Sequence, residues 1–347
     1  MKKTLAALIV TAFAASAANA AVVYDNEGTK VELNGSLRLI MEKADKKVYN
    51  AANQSTKKAN SALRNAGSRF GITVKHNLDN DFYALGRLEF RFDDTTSRDK
   101  FGRLYAKRAY VGLGSKATGD ITFGRQLTIA DDLSQAVDYE YGFIPKSEYI
   151  PTAGTGVVRY DYKGIEGLQL SANYNFGQTN DEKGNPLKPG IKNAYAVGAL
   201  YTVGDLDARL AYGHTNFETG ASYAHRLDGV LASLGYKFGD FTLTGDFGYG
   251  HEKLDDAKVN KFYVSPGFAY QVVPASKVYG NYLYERVKGE ADKDKTHGFL
   301  LGADYKLHKQ VVLFVEGKYV TAKKYTNDAY DGKVKDRAIG VGMRVFF

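Results

Sequence analysis

The segment "RAIGVGMRVFF" at 337–347 alternates strictly: Ile339, Val341, Met343, Val345 and Phe347 share one side, while Gly340, Gly342 and Arg344 take the other. A period of two is the signature of a β-strand, whose successive side chains point to opposite faces. Chain ends are usually polar and frayed, so an apolar row running to the last residue predicts a strand with a structural partner. The same alternation recurs along the chain. In "GLQLSANYNF", Leu168, Leu170, Ala172, Tyr174 and Phe176 alternate with Gln169, Ser171, Asn173 and Asn175; "DFTLTGDFGYG", "VELNGSLRLI", "LGRLEFRF", "LDARLAYGH", "GFLLGADY" and "VVLFVEGKY" follow suit.

The connections alternate as well. Tight turns rich in Gly, Asp or Lys occur at "NLDND", "SKATGD", "KGIEG", "VGDLD", "KFGDF", "PASK" and "KLHKQ". Longer polar loops lie between them, near 43–65, 94–103, 128–155, 177–191, 216–225, 253–258, 289–294 and 323–335. Seven turns and eight loops join about sixteen strands, an even number as bacterial barrels require. Strands of about ten residues, rising ~3.3 Å each and tilted by ~45°, span a little over ~20 Å, the height of an outer-membrane apolar band. A soluble sandwich would not place one short and one long connection in strict succession. The expectation is an all-β protein: a transmembrane antiparallel barrel with short periplasmic turns and long extracellular loops. Closure pairs the last strand with the first, leaving no free edge.

Composition agrees with this. The chain has 26 Tyr, 19 Phe and 37 Gly against 6 Pro and 3 Met, suiting strands with aromatic girdles. "MKKTLAALIVTAFAASAANA" has two lysines, a short apolar run and an A-x-A site, so residues 1–20 read as a cleaved secretory signal peptide and 21–347 as one barrel domain. Cleavage would leave +6, the +8 of the full chain less Lys2 and Lys3. Charges of both signs are spread evenly, which argues against a nucleic-acid partner. The absence of cysteine excludes disulfides and thiolate chemistry, and no cofactor is called for.

Several stretches carry a resemblance: "AANAAVVYDNEGTKVELNGSLRL", "GSRFGI" at 67–72, "GDITFGRQLTIADD" at 119–132, "YIPTAGTGVVRYDYKGIEGL" at 149–168, "FYVSPGFAYQ" at 262–271, "YKLHKQVV" at 305–312 and the final aromatic. In this order and spacing the chain resembles the Gram-negative general-diffusion porins, and most closely the Haemophilus-type (Pasteurellaceae) major porin. The resemblance implies a homotrimer in the outer membrane, in contact with its lipid and lipopolysaccharide, with one water-filled pore per subunit for ions and small hydrophilic solutes. It also implies that the third extracellular loop folds inward as a constriction, and that Phe347 belongs to the signal read by the outer-membrane assembly machinery.

That loop, 127–156, is longer than a connector needs, and it carries Asp131, Asp132, Asp138, Glu140 and Glu148 against Lys146. From the residues alone, a lumenal carboxylate surface and a solvated surface loop are both open readings; the resemblance favours the first. Strand phase places Arg38, Arg69, Arg87, Arg108, Arg125 and Arg159 inward, since their neighbours Leu37, Phe70, Leu88, Val111, Phe123 and Val158 take the lipid side. An Arg on the lipid face at mid-membrane would cost about 2–4 kcal/mol. By resemblance Arg69, Arg108 and Arg159 form the basic wall, with Arg38 and Arg125 beside them. Pairing with Glu89 or Asp161 is the plainer role for Arg87 and for Arg159.

Two other functions make different demands on the residues. A hydrolase would need a Ser or Asp beside a His, and His76, His214, His225, His251, His297 and His308 are scattered in sequence. A substrate-specific channel, for sugars or nucleosides, would need a rising row of lumenal aromatics; most strand aromatics fall in the outward phase, Tyr110 being an inward exception.

Overall fold

The computed structural model describes residues 20–93, 102–219 and 225–347. All but the last residue of the signal-peptide reading of 1–20, most of the loop expected at 94–103 and half of that expected at 216–225 therefore lie outside the described residues. Among the described residues, nineteen strand segments form a single sheet. Ser55–Asn65 and Arg69–Asn77 are two halves of one broken strand, and Ala21–Asn26 and Gln178–Asn180 are short additions, which leaves sixteen barrel strands. All pairings are antiparallel between sequence neighbours, and the sheet closes where Gly332–Phe346 pairs with Ser36–Asn50. Ala21–Asn26 pairs with Thr29–Leu33, continuing the row of the last strand.

The alternation reads out as two faces. Leu37 (59% exposed), Met41 (61%), Val111 (64%) and Ile339 (57%) stand bare on the outside, an apolar surface that water would not tolerate over sixteen strands but lipid does. No helix among the described residues is long and apolar enough to cross a membrane; the strands make the crossing.

All seven tight turns fall where the sequence places them. The strands, however, run from 8 to 22 residues rather than about ten. Much of 43–65, 177–191 and 323–335, expected as loop, continues as paired strand: Thr29–Asn50 pairs with Ser55–Asn65, and Val311–Thr326 with Ala329–Phe346. Ser55 to Ser61 is exposed at every position. Above the apolar band both faces meet water, so backbone pairing persists without the alternation that would reveal it.

A closed barrel has no core of its own, and here the core lies inside the lumen. Ile129, Ala130, Leu133, Tyr149 and Ile150, all from the third loop, pack with the inward residues Ala196, Ala211, Leu231, Tyr263 and Leu283. A second cluster joins Tyr141 to Ile40, Tyr279, Leu300 and Phe314. Each fully buried Ile, Leu or aromatic contributes about 1.5–3 kcal/mol, so the loop is fastened as a core element.

Candidate pore constriction

The loop leaves the strand Gly119–Leu127 through a short 3-10 turn, Ile129–Asp132, capped by the Thr128 side chain, which accepts from the Ala130 N–H. It then follows the inner wall. Gln135 donates to the Asp207 carbonyl at 3.0 Å, and Arg209 to the Asp132 carbonyl at 2.8 Å. Asp246 accepts from the Ser134 hydroxyl (2.7 Å) and from the backbone N–H groups of Gln135 and Ala136. Asn281 donates to the Val137 carbonyl, and the Tyr139 hydroxyl to Asp304 at 2.6 Å. At the tip, Glu316 accepts the N–H groups of Tyr139 (2.7 Å), Glu140 (2.8 Å) and Tyr141 (2.5 Å) together with the Tyr279 hydroxyl (2.9 Å). Arg344 donates to the Tyr139 carbonyl and lies over its ring. Beyond the tip, Glu140 meets Arg64 at 2.6 Å and the Tyr141 hydroxyl reaches Glu42. The returning limb is fixed by Tyr149, whose hydroxyl donates to Glu285.

The wall is shaped to receive this loop. A Cβ on Gly229 would lie 2.2 Å from the Tyr149 carbonyl oxygen, and one on Gly213 would lie 2.6 Å from Ile150. These inward glycines, which weaken a strand by leaving nothing to pack, make the groove the loop occupies. Burial first, and then the acceptor carboxylates, raise the phenol pKa values of Tyr139, Tyr141 and Tyr149, so these anchors remain donors at any ordinary pH.

The loop thus covers the wall from strand Leu206–Phe217 round to Ala329–Phe346 and reaches the Glu42–Arg64 pair. The arc it leaves open carries arginines. Arg69, Arg87 and Arg91 converge on Glu89, at 3.9, 2.8 and 2.6 Å. Arg38, bonded to the Ser36 hydroxyl, and Arg108 lie close enough to Arg69 and Arg91 to repel them. One buried carboxylate therefore faces five guanidiniums.

The residues singled out from sequence separate into groups. Arg159 binds Asp161 (2.9 Å) and also Asp132 (2.8 Å), bracing the root of the loop. Glu140 is taken up by Arg64. Arg125 departs from the expected place: it stands two residues from Phe123 and so shares that residue's side of the strand, the inward row running through Thr122 and Gln126, and its guanidinium donates to the carbonyls of Ala106 and Glu182. Asp131 sits 4.0 Å from Lys146. Asp138 stands open to the lumen. The surrounding protein and Glu316 push its carboxyl up to about 6, a shift that lumenal water screens back toward the ordinary value. Phase reasoning named Glu89 as a partner of Arg87 but passed over Arg64, Arg91 and Glu316. Arg91 and Glu316 occupy polar positions of alternating strands, and the signal available was their placement in the inward row; Arg64 fell within 43–65, which reads as loop.

The histidines acquire partners that sequence spacing concealed. His214 meets Asp228 at 2.7 Å and His225 meets Glu252 at 2.6 Å, but among the described residues neither ring bonds a hydroxyl nucleophile. The inward tyrosines Tyr263 and Tyr279 are fully buried beneath the loop, so they line no slide for sugars.

Residues 4–325 match the Gram-negative porin family. The "Major outer membrane protein" of Pasteurella multocida (strain Pm70) is 31% identical over 379 residues, covering all of both chains. This chain belongs to the Gram-negative porin family. As a porin it is an outer-membrane diffusion channel. Solved structures share the fold at lower identity. The trimer form of OmpT from Vibrio cholerae superposes with a TM-score of 0.69 at 19% identity, covering 92% of this porin and all of that chain. The anion-selective porin from Comamonas acidovorans gives 0.66 at 18%, with the same coverage.

Proposed function

We propose that solutes cross this porin passively through a lumen that narrows between the loop 128–152 and the arc of Arg38, Arg69, Arg91 and Arg108. The observation that carries the reading is the course of the loop, which occupies the lumen and, among the described residues, leaves the arginine-bearing stretch of wall uncovered. With Asp132 and Glu140 engaged by Arg159 and Arg64, the loop charges that act on passing ions are Asp131, Asp138 and Glu148. Unit charges ~8 Å apart at an effective dielectric of ~20 interact by roughly 2 kcal/mol, enough to orient dipolar solutes. Arg159 and Arg125 shape the opening rather than line it. The proposed working unit is a homotrimer surrounded by lipid and lipopolysaccharide, exported with cleavage after Ala20 and inserted by the assembly machinery. The channel performs no catalysis.

Planar bilayers test this. Stepwise conductance is expected, with uptake of small sugars by liposomes carrying the trimer. In a salt gradient, R69Q with R108Q should lower anion relative to cation permeability several-fold at low ionic strength, and D131N with D138N should raise it; both shifts should shrink at high salt. Reversal potentials equal to wild type in both sets would place the narrow region elsewhere.

A further inference from the structure

On the long-loop side of the third loop lies a cavity of about 610 Å³, within the size range of small-molecule sites. Its lining is divided by chemistry. Arg91 and Arg108, the apolar Leu187, Ile191, Phe217 and Leu227, and the acids Asp131 and Glu148 all line it. Arg91 engages Glu89 through its Nε alone among the described bonds, and Asp131 lies 4.0 Å from Lys146; the remaining charged groups are fully used. Glu182 is paired with Lys107 at 2.8 Å, and Glu252 with His225 and Lys261. Asp181 accepts from Asn185 and from the backbone of its own turn. Arg108, by contrast, is 7% exposed and its guanidinium donates only to the Lys107 carbonyl among the described bonds. Its other donors remain available to a carboxylate, which guanidinium binds in a two-pronged fashion. Asp131 is near enough to interact with Arg108 electrostatically, so positive and negative groups coexist within one ligand length.

We propose that this cavity is a binding site for short zwitterionic peptides with apolar side chains, the carboxylate held by Arg108 and Arg91, the ammonium by Asp131 and Glu148, and the side chains laid on Phe217, Leu187 and Ile191. A purely anionic solute would meet the two acids, and a purely cationic one the arginines; only a molecule carrying both ends satisfies both sets of charges while covering the apolar side chains. Such a site at the long-loop mouth of the narrow region, sharing Arg91, Arg108, Asp131 and Glu148 with it, concentrates peptides at the entrance. The inference rests on the pore reading above.

The test uses single trimers in a planar bilayer with the dipeptide Leu-Phe added on the long-loop side. The expected result is transient current blocks whose residence time falls at least tenfold for N-acetyl-Leu-Phe and for Leu-Phe-amide, each lacking one charged end. R108Q should abolish the difference between the free dipeptide and its amide, and F217S should shorten the blocks of every derivative. Normal conductance with no blocks, or blocks equally long for all three compounds, overturns the peptide site and leaves the pore reading standing. Absence of conductance from folded wild-type trimer overturns the pore reading and this inference with it.

Discussion

Replacing Glu316 by Leu should give a wider, noisier channel whose trimer comes apart at a lower temperature. The carboxylate is fully buried and accepts three consecutive backbone N–H groups of the loop and one phenol. Each donor left buried without an acceptor costs about 1–3 kcal/mol, so the tip of the loop cannot remain against the apolar side chain that E316L introduces. It must move into lumenal water, where those donors are satisfied. E316Q is the sharper probe: the amide keeps one acceptor oxygen but turns an NH₂ donor toward groups that are themselves donors, so an intermediate phenotype is expected. G229V should act on the other limb, because its Cβ would meet the Tyr149 carbonyl oxygen at 2.2 Å and Gly229 is held in a strand paired on both sides, so the loop must shift instead. Single-channel conductance together with heat dissociation of the trimer reads all three variants. Wild-type conductance in E316L would mean that packing and the remaining bonds to Asp304, Arg344, Arg64 and Glu42 hold the tip without Glu316.

The barrel was legible because its physics repeats. Alternation such as Leu168 to Phe176 and turns such as "KFGDF" report one strand and one connection at a time, and closure follows from an even count. What remained hidden has no local period. Ser55–Asn65 pairs above the membrane, where both faces are wet. Arg125 does not belong to the inward row at all, because it lies two residues from the lipid-facing Phe123 while Thr122 and Gln126 hold the inward positions. The path of the third loop was readable as overlong and aromatic, yet its anchors Asp246, Glu285 and Glu316 lie more than a hundred residues away along the chain. Within its own strand each looks like an ordinary inward polar residue. Only the sheet order brings such carboxylates to face loop N–H and hydroxyl donors, and that is a property of the closed cylinder. The arginine arc stands between these cases: the inward phase of Arg38, Arg69 and Arg108 is local information, whereas their convergence with Arg91 on Glu89 depends on the register between strands.

Deleting Phe347 should nearly abolish folded trimer in the outer membrane while leaving refolding in detergent largely intact. Phe347 exchanges two backbone hydrogen bonds with Gly35, at 2.8 and 3.1 Å, and its ring lies so close over Gly35 that a Cβ there would come within 2.5 Å. Those contacts close the end of the seam, yet the rungs from Gly332–Asn50 to Phe346–Ser36 persist without them. Two exposed-edge hydrogen bonds contribute about 0.5–1.5 kcal/mol each, and one partly exposed aromatic adds a similar amount. A loss of that size shifts the melting temperature and does not prevent a sixteen-strand barrel from forming. A severe defect in cells therefore has to arise before folding is complete, when the assembly machinery reads the apolar alternating end of the chain, a role we propose for Phe347. F347L separates the two contributions: it keeps an apolar side chain and both backbone bonds but removes the aromatic ring. If F347L and the deletion both insert at wild-type levels in cells, the terminal aromatic is not a recognition element. If instead the deletion fails equally in detergent, the seam itself depends on this one residue, and the energetic argument from the remaining rungs is wrong.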